Sequence, residues 1–213
     1  MDASIIYSSD VAFTPSVKAV QVKKGSRDKY RRIEESGSWQ TTITPALSGF
    51  IEAQTSVFLA TANALGQPYI QHRGGPPGFL RVLDEKTIGF VDFAGNRQYI
   101  TQGNLAENTK AHLFLMDYMN RRRIKLWGEA RFVDNDPVSI GKLMPPDYEA
   151  KAEGLILFTI AAWNANCSQH IPQRFWAGDV ARALGERDNR IAALEAEVKR
   201  LTNLLNGEPQ QSL

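Results

Sequence analysis

The chain has 213 residues, 43% of them hydrophobic and 23% charged, with a formal net charge of +2. These values suit one globular domain with extensions, and they lack the dense basic surface of a nucleic-acid binder. A single cysteine, Cys167, leaves no internal disulfide framework and no cysteine-based zinc site.

That cysteine usage points to a reducing, cytoplasmic compartment. No apolar run approaches the roughly 18–20 residues that span a bilayer. The start, MDASIIYSSD, has no basic region of the kind a secretory signal carries. No internal repeat is visible.

Residues 1–43 read as an arm. Phe13-Thr14-Pro15-Ser16 is a turn or a helix start. Residues 26–36 have helix-forming composition, with Ser26 as N-cap and Gly37 as the stop. Trp39 is expected to anchor the arm on the main body. Thr44-Pro45 places an N-cap before a proline at the first helical position, and Leu47, Phe50 and Ile51 then share one helical face.

A β region begins at Ser56. Residues 57–61 form an apolar strand and Asn63-Ala64-Leu65-Gly66 a hairpin turn, with Gly66 free to take a positive φ. Residues 68–73 return, the Gly/Pro loop 74–78 interrupts, and residues 79–83 and 87–93 make the next hairpin. The polar run Gly95-Asn96-Arg97-Gln98 is expected to open a helix reaching about Leu105. Residues 110–117 and 122–133 are two longer strands, the second alternating clearly, with Gly128 marking a bulge or bend. Asp136-Pro137 starts a short helix, and residues 155–163 are the last core strand. Six antiparallel strands with interposed helices predict a mainly β, α+β fold, a small barrel over 44–178.

After Asp179 the pattern changes. Leu184, Ile191, Val198 and Leu205 recur every seven residues, with Leu194 and Leu201 at the complementary positions and Arg187 breaking that row. Residues 179–205 therefore read as a coiled-coil helix that self-associates. An amphipathic helix folded back on the barrel is the other reading. Residues 206–213 are expected to be a loose tail.

Three features between Gln67 and Leu105 could bind an anion: Arg73 at a strand end, N–H groups released by Gly74 and Gly75, and Arg97 at a helix start. Each has an ordinary alternative. Arg73 could make an ion pair, the glycines a simple turn, Asn96 a cap, and Arg97 could be solvated. Asn104 could cap or touch a ligand. Of Arg121-Arg122-Arg123, Arg123 is the candidate to face an anionic cleft. Lys125 and Glu129 are expected to pair across strands. His112 reads as half-buried. His72, His112 and His170, without a carboxylate cluster, do not make a metal site. Cys167 near His170 reads as a packed thiol rather than a nucleophile.

Taken in order, Gly66-Gln67-Pro68-Tyr69, Arg73, Gly89-Phe90, Asn96-Arg97, Gly103 to Asn108 and Arg122 to Gly128 resemble the pyridoxamine 5′-phosphate oxidase family. The likeness covers roughly 45–175 and is to its general FMN-binding split-barrel branch, not to the vitamin-making enzyme. It implies a homodimer with FMN at the subunit interface. It also implies cofactor contacts at Gln71, His72, Arg73, Gly74, Val91, Asp92, Asn96, Arg97, Gln98, Asn104, Arg123 and Trp163. The chain departs from the family where Gln98 replaces a phosphate-binding lysine. The substrate-gripping Arg-x-His signature is also absent; Gln169-His170-Ile171-Pro172 stands instead. The resemblance therefore implies an FMN-dependent oxidoreductase on an unidentified small molecule. The alternative is a non-enzymatic flavin or haem carrier whose coiled coil docks a partner.

Overall fold

The computed structural model describes residues 7–134, 136–166 and 168–207. Cys167 and the tail from 208 lie outside them. The chain divides into two units, Met1–Ile171 and Pro172–Leu213.

The first unit begins with a short 3-10 turn, Ser8–Val11, and two helices, α1 (Pro15–Lys23) and α2 (Arg27–Glu35). Thr14 caps α1 by accepting from the Val17 N–H. The arm thus carries two helices rather than the one short helix expected. A buried Glu34 carboxylate holds it together, pairing with Arg27. The guanidinium of Arg27 also donates to Gln21 at 2.8 Å. Trp39 anchors the arm as expected. It stacks on Trp127 at 4.7 Å and 24°, and Phe13 packs edge-on against its other side.

Helix α3 (Pro45–Glu52) is capped by Thr44, which accepts from the Leu47 N–H at 3.2 Å. Seven strands follow, one more than expected: β1 (Ser56–Ala62), β2 (Pro68–Gly74), β3 (Arg81–Val82), β4 (Thr87–Phe93), β5 (Lys110–Asp117), β6 (Arg122–Val133) and β7 (Ala152–Asn166). The shortest is β3, all that remains of the strand expected over 79–83. Phe79 and Leu80 leave the ladder because both side chains are buried in the core. The sheet order is β2-β1-β5-β6-β7-β4-β3, with every pairing antiparallel.

The inner face follows from strand alternation. Val57 and Leu59, Leu113 and Leu115, Ile124 and Leu126, and Ile156 and Phe158 point into one core with Leu47, Phe50 and Ile51 of α3. One cluster drawing on both ends of the sheet requires the sheet to curl around α3. Strand β4 is apolar on both faces because α5 (Pro137–Leu143) covers its outer side, where Leu143 meets Val91 and Leu155. Helix α4 (Ile100–Glu107) ties to β1 through Asn104, whose amide donates to the Thr61 hydroxyl at 3.0 Å. Among the described residues no helix is long and apolar enough to cross a membrane, and no cluster of metal-ligating side chains occurs.

The outer face of β5 and β6 holds His112 edge-on to Trp127 at 4.9 Å. Burial, helped by the charge of Lys125, pushes its imidazole down from 6.5 to about 4. The folded protein keeps it neutral while the unfolded chain protonates it. Stability is therefore full above the unfolded value and is lost as pH falls from 6.5 towards 4. His112→Phe is expected to flatten that acid limb by on the order of 2 kcal/mol, after discounting the open edge of the ring. Urea titrations across this range check it.

Lys125 lies over the Trp127 ring at 5.3 Å, and Glu129 pairs with Lys110 at 2.6 Å. Glu129 thus pairs across strands as expected, with Lys110 directly opposite it, whereas Lys125 rests on the Trp127 ring of its own strand.

The second unit contains α6 (Ala177–Leu205), a helix of 29 residues.

Candidate functional site

Alternation on β2 sends Tyr69, Gln71 and Arg73 to one face and Ile70 and His72 to the other. The first set opens onto a narrow cleft, closed opposite by Asp92 and Phe93 of β4, the loop 95–99, the start of α4 and Glu153 of β7. Of the expected contacts, Gln71, Arg73, Asp92, Asn96, Arg97 and Gln98 line this cleft. His72, Gly74, Val91, Asn104, Arg123 and Trp163 do not line it.

Arg73 joins the two ends of the sheet. Its Nη1 lies 2.7 Å from Asp92 Oδ1, and both side chains are about 15% exposed. Of its two sequence readings the ion pair is present, largely buried rather than on the surface. Its Nε is buried without a hydrogen-bond partner in this structure, so the guanidinium keeps unspent donor capacity beside the cleft. Burial pushes the Asp92 carboxyl up; Arg73 pulls it down, and the nearby Glu153 pushes it up again. Gln71 accepts from the Thr101 hydroxyl at 3.1 Å, which fixes the amide at the cleft wall.

The loop 95–99 corrects the sequence reading. Arg97 is not at a helix start: α4 begins at Ile100, with Tyr99 at the N-cap. Asn96 accepts from the Gln98 N–H at 3.2 Å, making a tight turn. Arg97 and Tyr99 both take left-handed backbone, at φ 57° and 55°. Side chains that are neither glycine nor asparagine adopt this conformation at a cost of the order of 1 kcal/mol each. Arg97 thereby swings beside Glu153, with Nε 3.5 Å from Oε1, and stays 57% exposed.

The glycine-released N–H groups are a second correction. The Gly75 N–H donates to the Thr55 carbonyl at 3.1 Å. A Cβ on Gly75 would stand 2.6 Å from that of Phe79, and one on Gly74 would stand 3.0 Å from His72. These glycines are needed to seat Phe79 in the core and to let β2 end beside Thr55; the Gly75 N–H is already used.

Trp163 donates its indole N–H to the Thr42 carbonyl at 2.8 Å and packs against the core. Sequence reasoning missed Tyr69, Thr101 and Glu153. Tyr69 was within reach, being two residues before Gln71 on the same face. Glu153 precedes the apolar run of β7, and only the strand pairing Asp92↔Gly154 brings it to the cleft.

The family profile described as pyridoxamine 5′-phosphate oxidase matches residues 43–167. The chain belongs to that family. The fold is the family's flavin-binding split barrel, here with seven strands. Comparison with curated proteins gives no match. Among solved structures, HupZ of Group A Streptococcus is similar at 18% identity, covering 62% of this chain and 99% of that one, with a TM-score of 0.48. An FMN-binding protein of Syntrophomonas wolfei subsp. wolfei matches at 14% identity over 71% of this chain and 97% of its own, TM-score 0.45. HutZ, a haem storage protein of Vibrio cholerae, matches at 15% identity over 56% and 89%, TM-score 0.36.

Proposed function

We propose that this chain is an FMN-binding flavoprotein, working as a homodimer and as an oxidoreductase on a small molecule. The observation that carries the reading is the convergence of Arg73 and Arg97 on one cleft within the family-matched region.

The residues present fit the cofactor's charge. Arg97 is mostly exposed and only loosely held by Glu153, so an incoming phosphate can take that carboxylate's place at small cost. The buried Arg73 Nε has a donor to offer. The Asn96 and Gln98 amides stand beside both. When bound, the flavin supplies hydride or electron transfer. This chain's residues bind and orient it: Arg97 and the loop amides hold the phosphate, and Gln71, braced by Thr101, presents a hydrogen-bonding edge. Asp92 and Glu153 add negative charge to the same cleft, which favours a cofactor that keeps its anionic end at the arginines.

The cleft of one chain leaves out Arg123 and Trp163, and in the homodimer reading a second copy brings them to it. Half-buried Phe58 and Phe114, with the exposed His72 beside Phe58 on the outer sheet face, supply a surface for that copy.

A visible spectrum of the purified protein with added FMN tests the proposal. Two flavin bands and quenched flavin fluorescence are expected. A Soret band would replace the reading by the haem carrier, and a colourless protein at saturating FMN would remove both. Bleaching by NADH or NADPH without oxygen separates enzyme from carrier. Arg97→Ala is expected to weaken FMN binding by about 1–3 kcal/mol, the range for a lost charge-assisted bond. A fluorescence titration measures it, and an unchanged dissociation constant takes Arg97 out of the site.

A further inference from the structure

Helix α6 carries an apolar stripe that is exposed along its whole length. Leu184, Ile191, Leu194, Val198 and Leu201 are each 44–62% exposed, and among the described residues none in the helix is buried. We propose that this stripe pairs with the same helix of a second copy as a parallel, in-register, two-stranded coiled coil. The proposal does not rest on flavin binding.

Strand number follows from side-chain shape. With Leu184, Ile191, Val198 and Leu205 as the first row of the heptad, Val180, Arg187, Leu194 and Leu201 form the second. The central heptads thus place β-branched Ile191 and Val198 in the first row and leucine in the second. That combination packs best in two parallel strands.

Orientation follows from charge. In a parallel pair the flanking positions bring Arg190 of one helix to Glu195 of the other, twice by symmetry. The other flanking contacts set Ala183 by Asp188 and Glu197 by Thr202, so no like charges meet. Antiparallel registers that overlap the apolar heptads do worse. Depending on the shift, they oppose Asp188 to Glu195, Arg190 to Arg190, or Glu195 to Glu195.

The ion pairs within the helix leave these two residues available. Asp179 pairs with Arg182, Arg187 with Asp188 and Glu197 with Arg200. Among the described residues, Arg190 and Glu195 have no ion pair. Glu186 and Lys199 are likewise without one, but in this heptad they fall on the outer face, so the unspent charges that flank the seam are the two the parallel pair uses.

Register follows from Arg187. In register, both copies of this guanidinium share one layer, each partnered by its own Asp188 at 3.1 Å. A one-heptad slip would set Arg187 against an apolar residue in two layers and would lose both Arg190–Glu195 contacts. A polar seam residue of this kind costs stability and selects register.

Disulfide trapping in the full chain, with Cys167→Ser to remove the native thiol, tests this. Val198→Cys lies on the seam and Asn203→Cys on the outer face. Mild oxidation is expected to link Val198→Cys chains into dimers and to leave Asn203→Cys chains unlinked. Arg190→Glu should weaken the association read by trapping roughly tenfold, because two attractions become repulsions. Adding Glu195→Arg should restore it. Absent trapping at 198 would overturn the proposal, and so would equal trapping at 203 or indifference to charge reversal. The first outcome would leave the stripe to the chain's own barrel or to another protein. FMN titration of the same variants reads the flavin proposal separately.

Discussion

Gly128→Ala is expected to destabilise the fold by about 3 kcal/mol, at the upper end of what overpacking costs. The register of β6 against β7 shifts between Trp127 and Gly128, and the bulge lets the Thr159 carbonyl come over the glycine. An added Cβ would stand 2.1 Å from that oxygen and 3.0 Å from the Phe158 ring. The carbonyl belongs to the backbone of the longest strand, and Phe158 is fully buried, so neither can yield as a flexible side chain would. The bulge also sets which way Trp127 faces, and with it the seat of Trp39 and the arm. The control is Gly103→Ala, in helix α4, where an added Cβ meets nothing within 4 Å. That change should be neutral or stabilising by up to about 1 kcal/mol. Urea midpoints of the two variants give the comparison, and equal midpoints would mean that the bulge can relax.

Gly128 shows how far the sequence could be read. A glycine inside an otherwise alternating strand announces a bulge, and the alternation of Ile124 and Leu126 announces the buried face. The caps at Thr44 and Asp136 and the positive φ of Gly66 were legible for the same reason: each is decided within four residues. The start of helix α1 was legible at Thr14-Pro15, but its extent escaped because its only buried residue is Gln21, so it lacks an apolar stripe. The shape of the loop 95–99 escaped because two non-glycine residues take left-handed backbone there, against local preference. The resemblance pointed to the cleft's residues but not to how they are held. Arg73 meets Asp92, and Arg97 meets Glu153, across strands that are far apart in the chain. No local pattern encodes those pairs. They exist because the sheet curls, and the curl is set by the core around α3.

Arg73→Ala is expected to cost about 3 kcal/mol of stability and to abolish measurable FMN binding. The stability loss comes from Asp92, which is 14% exposed beside Arg73 and loses its counter-charge in the variant, and breaking a buried pair from one side is expensive. Arg73 is the group that holds the Asp92 carboxyl down against burial and Glu153. Without it that carboxyl must rise further. A carboxyl raised on folding favours the folded state below its unfolded value, and that advantage disappears as pH rises through the folded value. The deficit of Arg73→Ala should therefore be largest near about pH 8 and shrink towards about pH 5 as Asp92 takes a proton. The double variant Arg73→Gln with Asp92→Asn keeps the volume and removes both charges. It should return stability to within about 1 kcal/mol of the parent, as replaced buried pairs commonly do. It should not recover FMN binding, because the neutral amide cannot replace a guanidinium facing phosphate. Urea titrations at the two pH values and an FMN titration on the double variant separate the two roles. Parent-like FMN affinity in that variant would make Arg73 a strut of the split barrel and nothing more.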